Sequence, residues 1–218
     1  MQEEGWLNIN MDSHLLTKIL ILVSSLSAVY GCSCLEGHHQ EDFCRAAYVI
    51  RGDVIDSNAP VPVLPAGHPQ RSIIYTVRVK KVFKDNTHSI SEGTVIHIET
   101  SSLCSVTLDK DGDYLLGGPG DANGLVVGLC DIATKWENIP KCQMNSLLNN
   151  LYNCGCEITT CTENQICKAS IHSCKMAFHV KAVQNAYCAR SKFRRRCHWK
   201  TCPSAQNIFR SYINVFER

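Results

Sequence analysis

Apolar and polar residues alternate along residues 72–84, with Tyr75, Val77 and Val79 on one face and Thr76, Arg78 and Lys80 on the other. A period of two residues marks a half-buried β-strand. Residues 48–55, 94–100, 113–116 and 125–129 read as four further short strands, with turn chemistry at Asp111-Gly112 and Asn123-Gly124. Five short strands in a chain of 218 residues predict a small closed barrel, of which the OB-fold is the common five-stranded form. Residues 40–47 and 142–152 read as helices flanking that barrel, and residues 204–216 as a terminal helix. Residues 58–69 carry four prolines and read as a loop.

A different pattern opens the chain. Residues 19–26 form an apolar run, with Lys18 before it and the exit Val29-Tyr30-Gly31 after it. That order reads as a secretory signal over residues 1–31, cut after Gly31. The run is too short for a membrane span, and no later segment competes with it. Translation starting at Met11 would leave a more compact signal. The expectation is an exported protein of about 187 residues that begins with Cys32.

Fourteen cysteines, all after Gly31, change the picture from a simple barrel to a crosslinked one. An even number in an exported chain implies a disulfide framework. A zinc site has little support, because there is no Cys-x-x-Cys and no His-x-x-x-His. Eight of the cysteines fall within the 49 residues from Cys154 onward, where long apolar runs are missing. Crosslinks are expected to replace a large core there. Charge changes at the same place: residues 32–154 carry 10 Lys+Arg against 14 Asp+Glu, net −4, and residues 155–218 carry 11 against 3, net +8. The expected organisation is a barrel domain over 32–154 and a small, basic, disulfide-rich domain over 155–218.

No catalytic constellation stands out: there is no His-Glu-x-x-His, no Gly-x-Ser-x-Gly and no phosphate-binding glycine loop. Asp109-Lys110-Asp111-Gly112-Asp113 has the look of a calcium loop, but its glycine comes too early and the closing position is Gly120. A polar turn is the better reading. His38 and His39 read as exposed loop residues, and His97 as a satisfied polar residue on a strand. The strongest charge run is Arg190, Lys192, Arg194, Arg195 and Arg196, interleaved with Phe193. Such a cluster suits sulfated polysaccharide, acidic protein or nucleic acid, and export argues against the last.

The cysteine spacing carries a resemblance. It runs through Cys32-x-Cys34, His38-x-Gln40, Phe43-Cys44, Val49-Ile50-Arg51, Ser101-Ser102-Leu103-Cys104, Asp113-Tyr114-Leu115-Leu116-Gly117 and Cys130-x5-Trp136. It continues through Cys154-Gly155-Cys156, Cys161, Cys167, Cys174, Cys188 and Cys197-His198-Trp199. In these residues the chain resembles the tissue inhibitors of metalloproteinases, a netrin-like OB-fold family. The resemblance implies a mainly β protein, a five-stranded OB-fold barrel with flanking helices followed by a small disulfide-rich C-terminal domain. It implies the pairs Cys32–Cys104, Cys34–Cys130, Cys44–Cys154, Cys156–Cys197, Cys161–Cys167 and Cys174–Cys188. Cys142 and Cys202 lie outside the family pattern and are expected to pair with each other. Gly37 and His39 stand where the family usually has proline.

The resemblance also implies a function. In the family the α-amine and carbonyl of the first mature residue, here Cys32, bind the catalytic zinc of the target protease. Ser33 would point into the pocket for the substrate side chain just past the scissile bond, and Cys34 and Leu35 would follow the groove. Thr100, Ser101, Ser102 and Leu103 would fill the other side. The expectation is a secreted, monomeric inhibitor of matrix-type metalloproteinases, not an enzyme, with no cofactor of its own. Its C-terminal domain would take a proenzyme or a sulfated polysaccharide. The rival is a non-inhibitory netrin-like module that docks to extracellular matrix or a cell-surface partner through the basic C-terminal domain.

Overall fold

The structure is a computed structural model that describes residues 32–34, 37–58, 72–100, 104–121, 123–161, 170–177, 185–191 and 195–202. The chain forms two compact units, Met1–Ser33 and Cys34–Arg218. Only Cys32 and Ser33 of the first are described, and the fold below is that of the second.

Its centre is β1 (Tyr48–Ser57), paired antiparallel with β2 (Ile74–Asp85) on one side and β4 (Asp113–Gly118) on the other. β2 continues to β3 (Val95–Thr100), which pairs in parallel with β6 (Gly124–Val127), while β5 (Gly120–Asp121) and β7 (Ile132–Lys135) form the two edges. The sheet order is therefore β5-β6-β3-β2-β1-β4-β7. Three register shifts between β1 and β2 bend this sheet, as bulges do. Gly52 lies at one of them, where a Cβ would stand 2.5 Å from Val77 Cγ1 and 2.9 Å from the Arg78 carbonyl. The curl brings β6 round to the far end of β4. The Val126 N–H donates to the Pro119 carbonyl at 3.0 Å, and the Tyr48 hydroxyl donates to the Val126 carbonyl at 3.0 Å.

Alternation along the strands fills the inside of the curl with Tyr48, Ile50, Val54, Tyr75, Val77, Val79, Ile98 and Leu116. β1 and β4 are buried on their outer faces too. Val49 and Leu115 pack there with Phe43 of α1 (His39–Arg45) and Leu147 of α2 (Lys141–Leu148), together with Ile132 and Ile139. All five strands read from the sequence are present, as β1, β2, β3, β4 and β6. β5 and β7, of two and four residues, are too short to show an alternation. The strand expected to reach Leu129 stops at Val127, because the Gly128 N–H turns away to the Asp131 carboxylate at 2.8 Å. The helix expected to reach Tyr152 stops at Leu148, and Asn150 then takes a left-handed φ of 50°. The terminal helix expected over 204–216 lies outside the described residues.

Beyond Cys154 the chain forms two small ribbons. β8 (Glu157–Cys161) and β9 (Ser173–Ala177) pair in parallel, and β10 (Ala186–Arg190) and β11 (Cys197–Thr201) form an antiparallel hairpin. Their common interior is made of Cys156, Cys174, Cys188 and Cys197, with Ile158 and Trp199 against them. Trp199 Nε1–H donates to the Lys175 carbonyl at 2.7 Å, joining the two ribbons.

Five disulfides with described geometry fasten this unit: Cys34–Cys130, Cys44–Cys154, Cys142–Cys202, Cys156–Cys197 and Cys174–Cys188. The third joins α2 to the end of β11, so the two cysteines outside the family pattern meet each other. Cys32, Cys104 and Cys161 are disulfide-bonded as well.

A polar clamp reinforces the bridges. The Gln40 side chain takes the Cys188 N–H at 2.7 Å and donates to the Cys188 carbonyl at 2.8 Å and the Asn153 carbonyl at 3.1 Å. It thus satisfies both backbone groups of one residue on β10, as a neighbouring strand would. His38, expected to be exposed, is 1% exposed instead. It is the N-cap of α1: its Nδ1 accepts the Gln40 N–H at 3.1 Å, while Nε2–H donates to the Ala186 carbonyl at 3.1 Å. Its ring lies 5.1 Å from that of Trp199. His38 looks loop-like in the sequence because the strand it packs on is nearly 150 residues away. His39 is the first residue of α1, and its Nε2 is buried without a hydrogen-bond partner.

Burial, with the neighbouring His38 adding to it, lowers the His39 pKa from 6.5 to about 4. The unfolded chain therefore binds this proton first, and stability falls as pH drops from about 6.5 towards 4, levelling below that. The full loss is at most about 3 kcal/mol. His39→Pro removes the titration at a position that suits proline, since it opens a helix and His38 is already extended at φ −89°, ψ 139°. The gap between urea midpoints at pH 7.5 and pH 4.5 is expected to shrink in this variant; an unchanged gap would acquit His39. Replacing both Cys142 and Cys202 by serine opens a bridge of sequence separation 60. Loop entropy sets an upper limit of about 4 kcal/mol, reduced because other bridges already restrain the unfolded chain. A lowered urea midpoint in a still-folded protein is expected, and an unchanged one would show the bridge to be idle.

Candidate functional site

The residues expected at the protease-facing edge come from several segments. Cys32 and Ser33 are exposed, and the Cys32 sulfur is held in a disulfide. Cys34, also exposed, is bridged to Cys130 with the Cα atoms 5.3 Å apart. Cys130 sits in the turn after β6, and the residue before it, Leu129, donates its N–H to the Cys104 carbonyl at 2.9 Å. Three stretches distant in sequence, at Cys34, at Cys104 and at 128–131, are thus joined. Arg45 Nη2 reaches this turn from α1, donating to the Asp42 carboxylate at 2.9 Å and more weakly to the Cys130 carbonyl at 3.4 Å. Burial raises the Asp42 pKa against the pull of Arg45, with Glu41 and Asp131 adding to the rise.

Thr100 closes β3 and is 1% exposed. Its hydroxyl accepts the Ile73 N–H at 2.9 Å and its own N–H donates to the Ile73 carbonyl at 2.8 Å. It is a buried anchor at the end of β3, rather than a surface group. Leu35, Ser101, Ser102 and Leu103 lie outside the described residues. Leu129, which the sequence reading placed merely at the end of a strand, is 45% exposed on the turn bridged to Cys34. A single apolar residue before a cysteine has no periodicity to mark it.

The sulfurs of this edge are not metal ligands, since a metal takes a thiolate and these are oxidised. The same holds for Cys156, Cys188 and Cys197, whose sulfurs lie within 4.8 Å of one another. They belong to two packed bridges, Cys156–Cys197 and Cys174–Cys188.

The other charged cluster is consumed internally. Arg51 forks onto the Asp113 carboxylate with contacts of 3.1, 3.1 and 2.6 Å and stacks over Trp136, 4.2 Å from its ring centre. Lys80 bridges Asp53 at 2.5 Å and Asp113 at 3.2 Å. Burial opposes ionisation of Asp113, but the hydrogen bonds from Arg51 and Lys80 outweigh it and hold its carboxyl below the usual range. Asp109 pairs with Lys135 at 2.8 Å. The calcium-like run is therefore a turn in which Asp109 and Asp113 have cations of their own, with Asp111 at a left-handed φ of 62°. Thr76 Oγ1 lies 3.4 Å from His97 Nδ1.

Of the basic run, Arg190 ends β10 and Arg195 and Arg196 precede β11, all three exposed. Lys192 and Arg194 lie outside the described residues.

Known proteins place this framework. The profile of the family described as tissue inhibitor of metalloproteinase matches residues 30–200. Metalloproteinase inhibitor 4 of Mus musculus is 32% identical over 151 residues, 67% of this chain and 67% of that protein. Metalloproteinase inhibitor 2 of Homo sapiens is 32% identical over 153 residues, 66% of each. The matched region holds the curled barrel, the Cys34–Cys130 edge and the sulfur-cored ribbons together, and on that ground the chain belongs to the tissue inhibitor of metalloproteinase family.

Proposed function

We propose that the protein is a secreted inhibitor of zinc metalloproteinases of the matrix type, acting through the backbone of Cys32. The supporting observation is that the Cys32 sulfur is oxidised. Once the signal is cut after Gly31, residue 32 has an α-amine and a carbonyl to offer a metal, and no thiolate. The two together are a chelate. They would take the position that a catalytic zinc keeps open for water, and without that water hydrolysis has no nucleophile. The names of the relatives, metalloproteinase inhibitors 2 and 4, support the same target class.

The other edge residues have supporting parts. Ser33 enters the pocket past the scissile bond, and Cys34 and Leu35 run along the groove. Ser101, Ser102 and Leu103 would line the other side, between the buried Thr100 and Cys104, whose sulfur is also oxidised. Leu129 adds an apolar contact beside Cys34. Preorganisation of this edge keeps binding energy from being spent on ordering a loose terminus. Residues 32–154 carry the inhibition, and the protein needs no cofactor and acts as a monomer without chemistry of its own.

Only the neutral amine can donate a lone pair to zinc. A terminal amine has a pKa of about 7.7–8, so zinc must displace a proton at neutral pH. Affinity should weaken as the medium is acidified. The test is a single alanine added before Cys32, which moves the amine off the residue that holds the carbonyl. Inhibition of a matrix metalloproteinase is expected to fall by about 100-fold or more, equivalent to about 3 kcal/mol. Undiminished inhibition by the extended protein, with its N-terminus verified by mass spectrometry, would refute the chelate.

A further inference from the structure

Every described ion pair lies between Asp42 and Lys135, in the barrel and its flanking elements. The C-terminal hairpin is different. Arg195, Arg196 and Lys200 are exposed and have no carboxylate partner among the described residues. Arg190 donates to two neutral acceptors, the Gly155 carbonyl at 3.2 Å and His172 Nδ1 at 3.1 Å, so its charge is uncompensated too. Residues 155–218 as a whole hold 11 Lys+Arg against 3 Asp+Glu.

The hairpin presents these cations in a fixed pattern. Its ladder runs from Ala186 opposite Thr201 to Arg190 opposite Cys197. The Ser191 N–H then closes onto the Arg196 carbonyl at 2.9 Å, and the Arg195 N–H onto the Ser191 carbonyl at 3.2 Å. Arg190, Arg195 and Arg196 are therefore gathered at one end. Side chains two apart on a strand share a face, so His198 and Lys200 share the face of β11 turned away from Cys197 and Trp199, and Arg196 adjoins the start of that face; Arg190, opposite Cys197, lies at the same end on the other face. Bridges at Cys188 and Cys197 pin both strands of the hairpin to the sulfur core.

From this arrangement we infer that the β10–β11 hairpin is a docking surface for a linear sulfated polysaccharide. Guanidinium forks match the oxygens of a tetrahedral anion in pairs, and a row of them suits a chain of such anions. A protein partner would need a desolvated apolar centre. Of the described exposed large apolar residues only Ile171 adjoins the hairpin, through the Cys197 N–H to its carbonyl at 2.8 Å. The surface shares the export expectation with the inhibitor reading but is independent of zinc chelation.

The test is the full protein on immobilised heparin, eluted with sodium chloride. The intact protein is expected to elute well above physiological ionic strength. The variant Arg190→Ala, Arg195→Ala, Arg196→Ala, Lys200→Ala should elute at much lower salt, with a shallower dependence of log affinity on log salt, as fewer counterions are released. Replacing the same three arginines by lysine should restore most of the retention, and Lys110→Ala with Lys141→Ala should change nothing. Metalloproteinase inhibition, measured on the same samples, should be equal in all of them and reports that they are folded. Elution of the quadruple variant at the intact protein's salt would overturn the proposal. So would equal retention on desulfated heparin, or retention on polyglutamate but not on heparin, which would point to an acidic protein. Loss of inhibition in every sample with heparin binding intact would instead count against the chelate alone.

Discussion

The structure depends on crosslinks that make neighbours of residues about a hundred positions apart. Cys34–Cys130 and Cys44–Cys154 span 96 and 110 residues, and both tie the short N-terminal stretch to segments that follow β6 and α2. The bridges reinforce a short element, since α1 has only seven residues, of which Gln40 and Phe43 are buried. Isolated helices of that length are not stable in water. The clamp of Gln40 and His38 on β10 completes the fixation with hydrogen bonds that would be costly to leave unmade in a buried place. The same residues therefore hold the edge and dock the C-terminal ribbons.

Two kinds of interior serve the two parts of this unit. The barrel buries a continuous apolar core, in which β1 and β4 are covered on both faces. The ribbons beyond Cys154 have no such core, and four cysteine side chains stand in its place. Charge follows the same division. In the barrel several cations are matched to carboxylates, as in the Arg51–Asp113–Lys80 cluster, whereas the described cations of the hairpin have no ion pair among the described residues. A rigid, unneutralised surface and a rigid edge are thus carried by one crosslinked frame.

Much of this was legible in the sequence, for definite reasons. Strands such as β2 alternate over many residues, so their period showed through, and the order of cysteines was specific enough to point to the family. What was hidden depended on contacts at long range. The burial of His38 depends on Ala186, nearly 150 residues away. Thr100 looked like a surface residue in a polar run, yet its hydroxyl completes the ladder to Ile73. Leu129 was assigned to a strand because the Asp131 side chain that ends β6 is invisible to a hydrophobic pattern. The Cys142–Cys202 bridge needed only the arithmetic of two leftover cysteines.

The central claim is that backbone atoms of Cys32, not sulfur, occupy the zinc of the target. Zinc K-edge absorption of the mature protein bound to a metalloproteinase catalytic domain tests it directly. The account predicts added nitrogen and oxygen ligands at about 2.0–2.2 Å and no sulfur scatterer. A zinc–sulfur distance of about 2.3 Å, or a spectrum unchanged from the uninhibited protease, would contradict it.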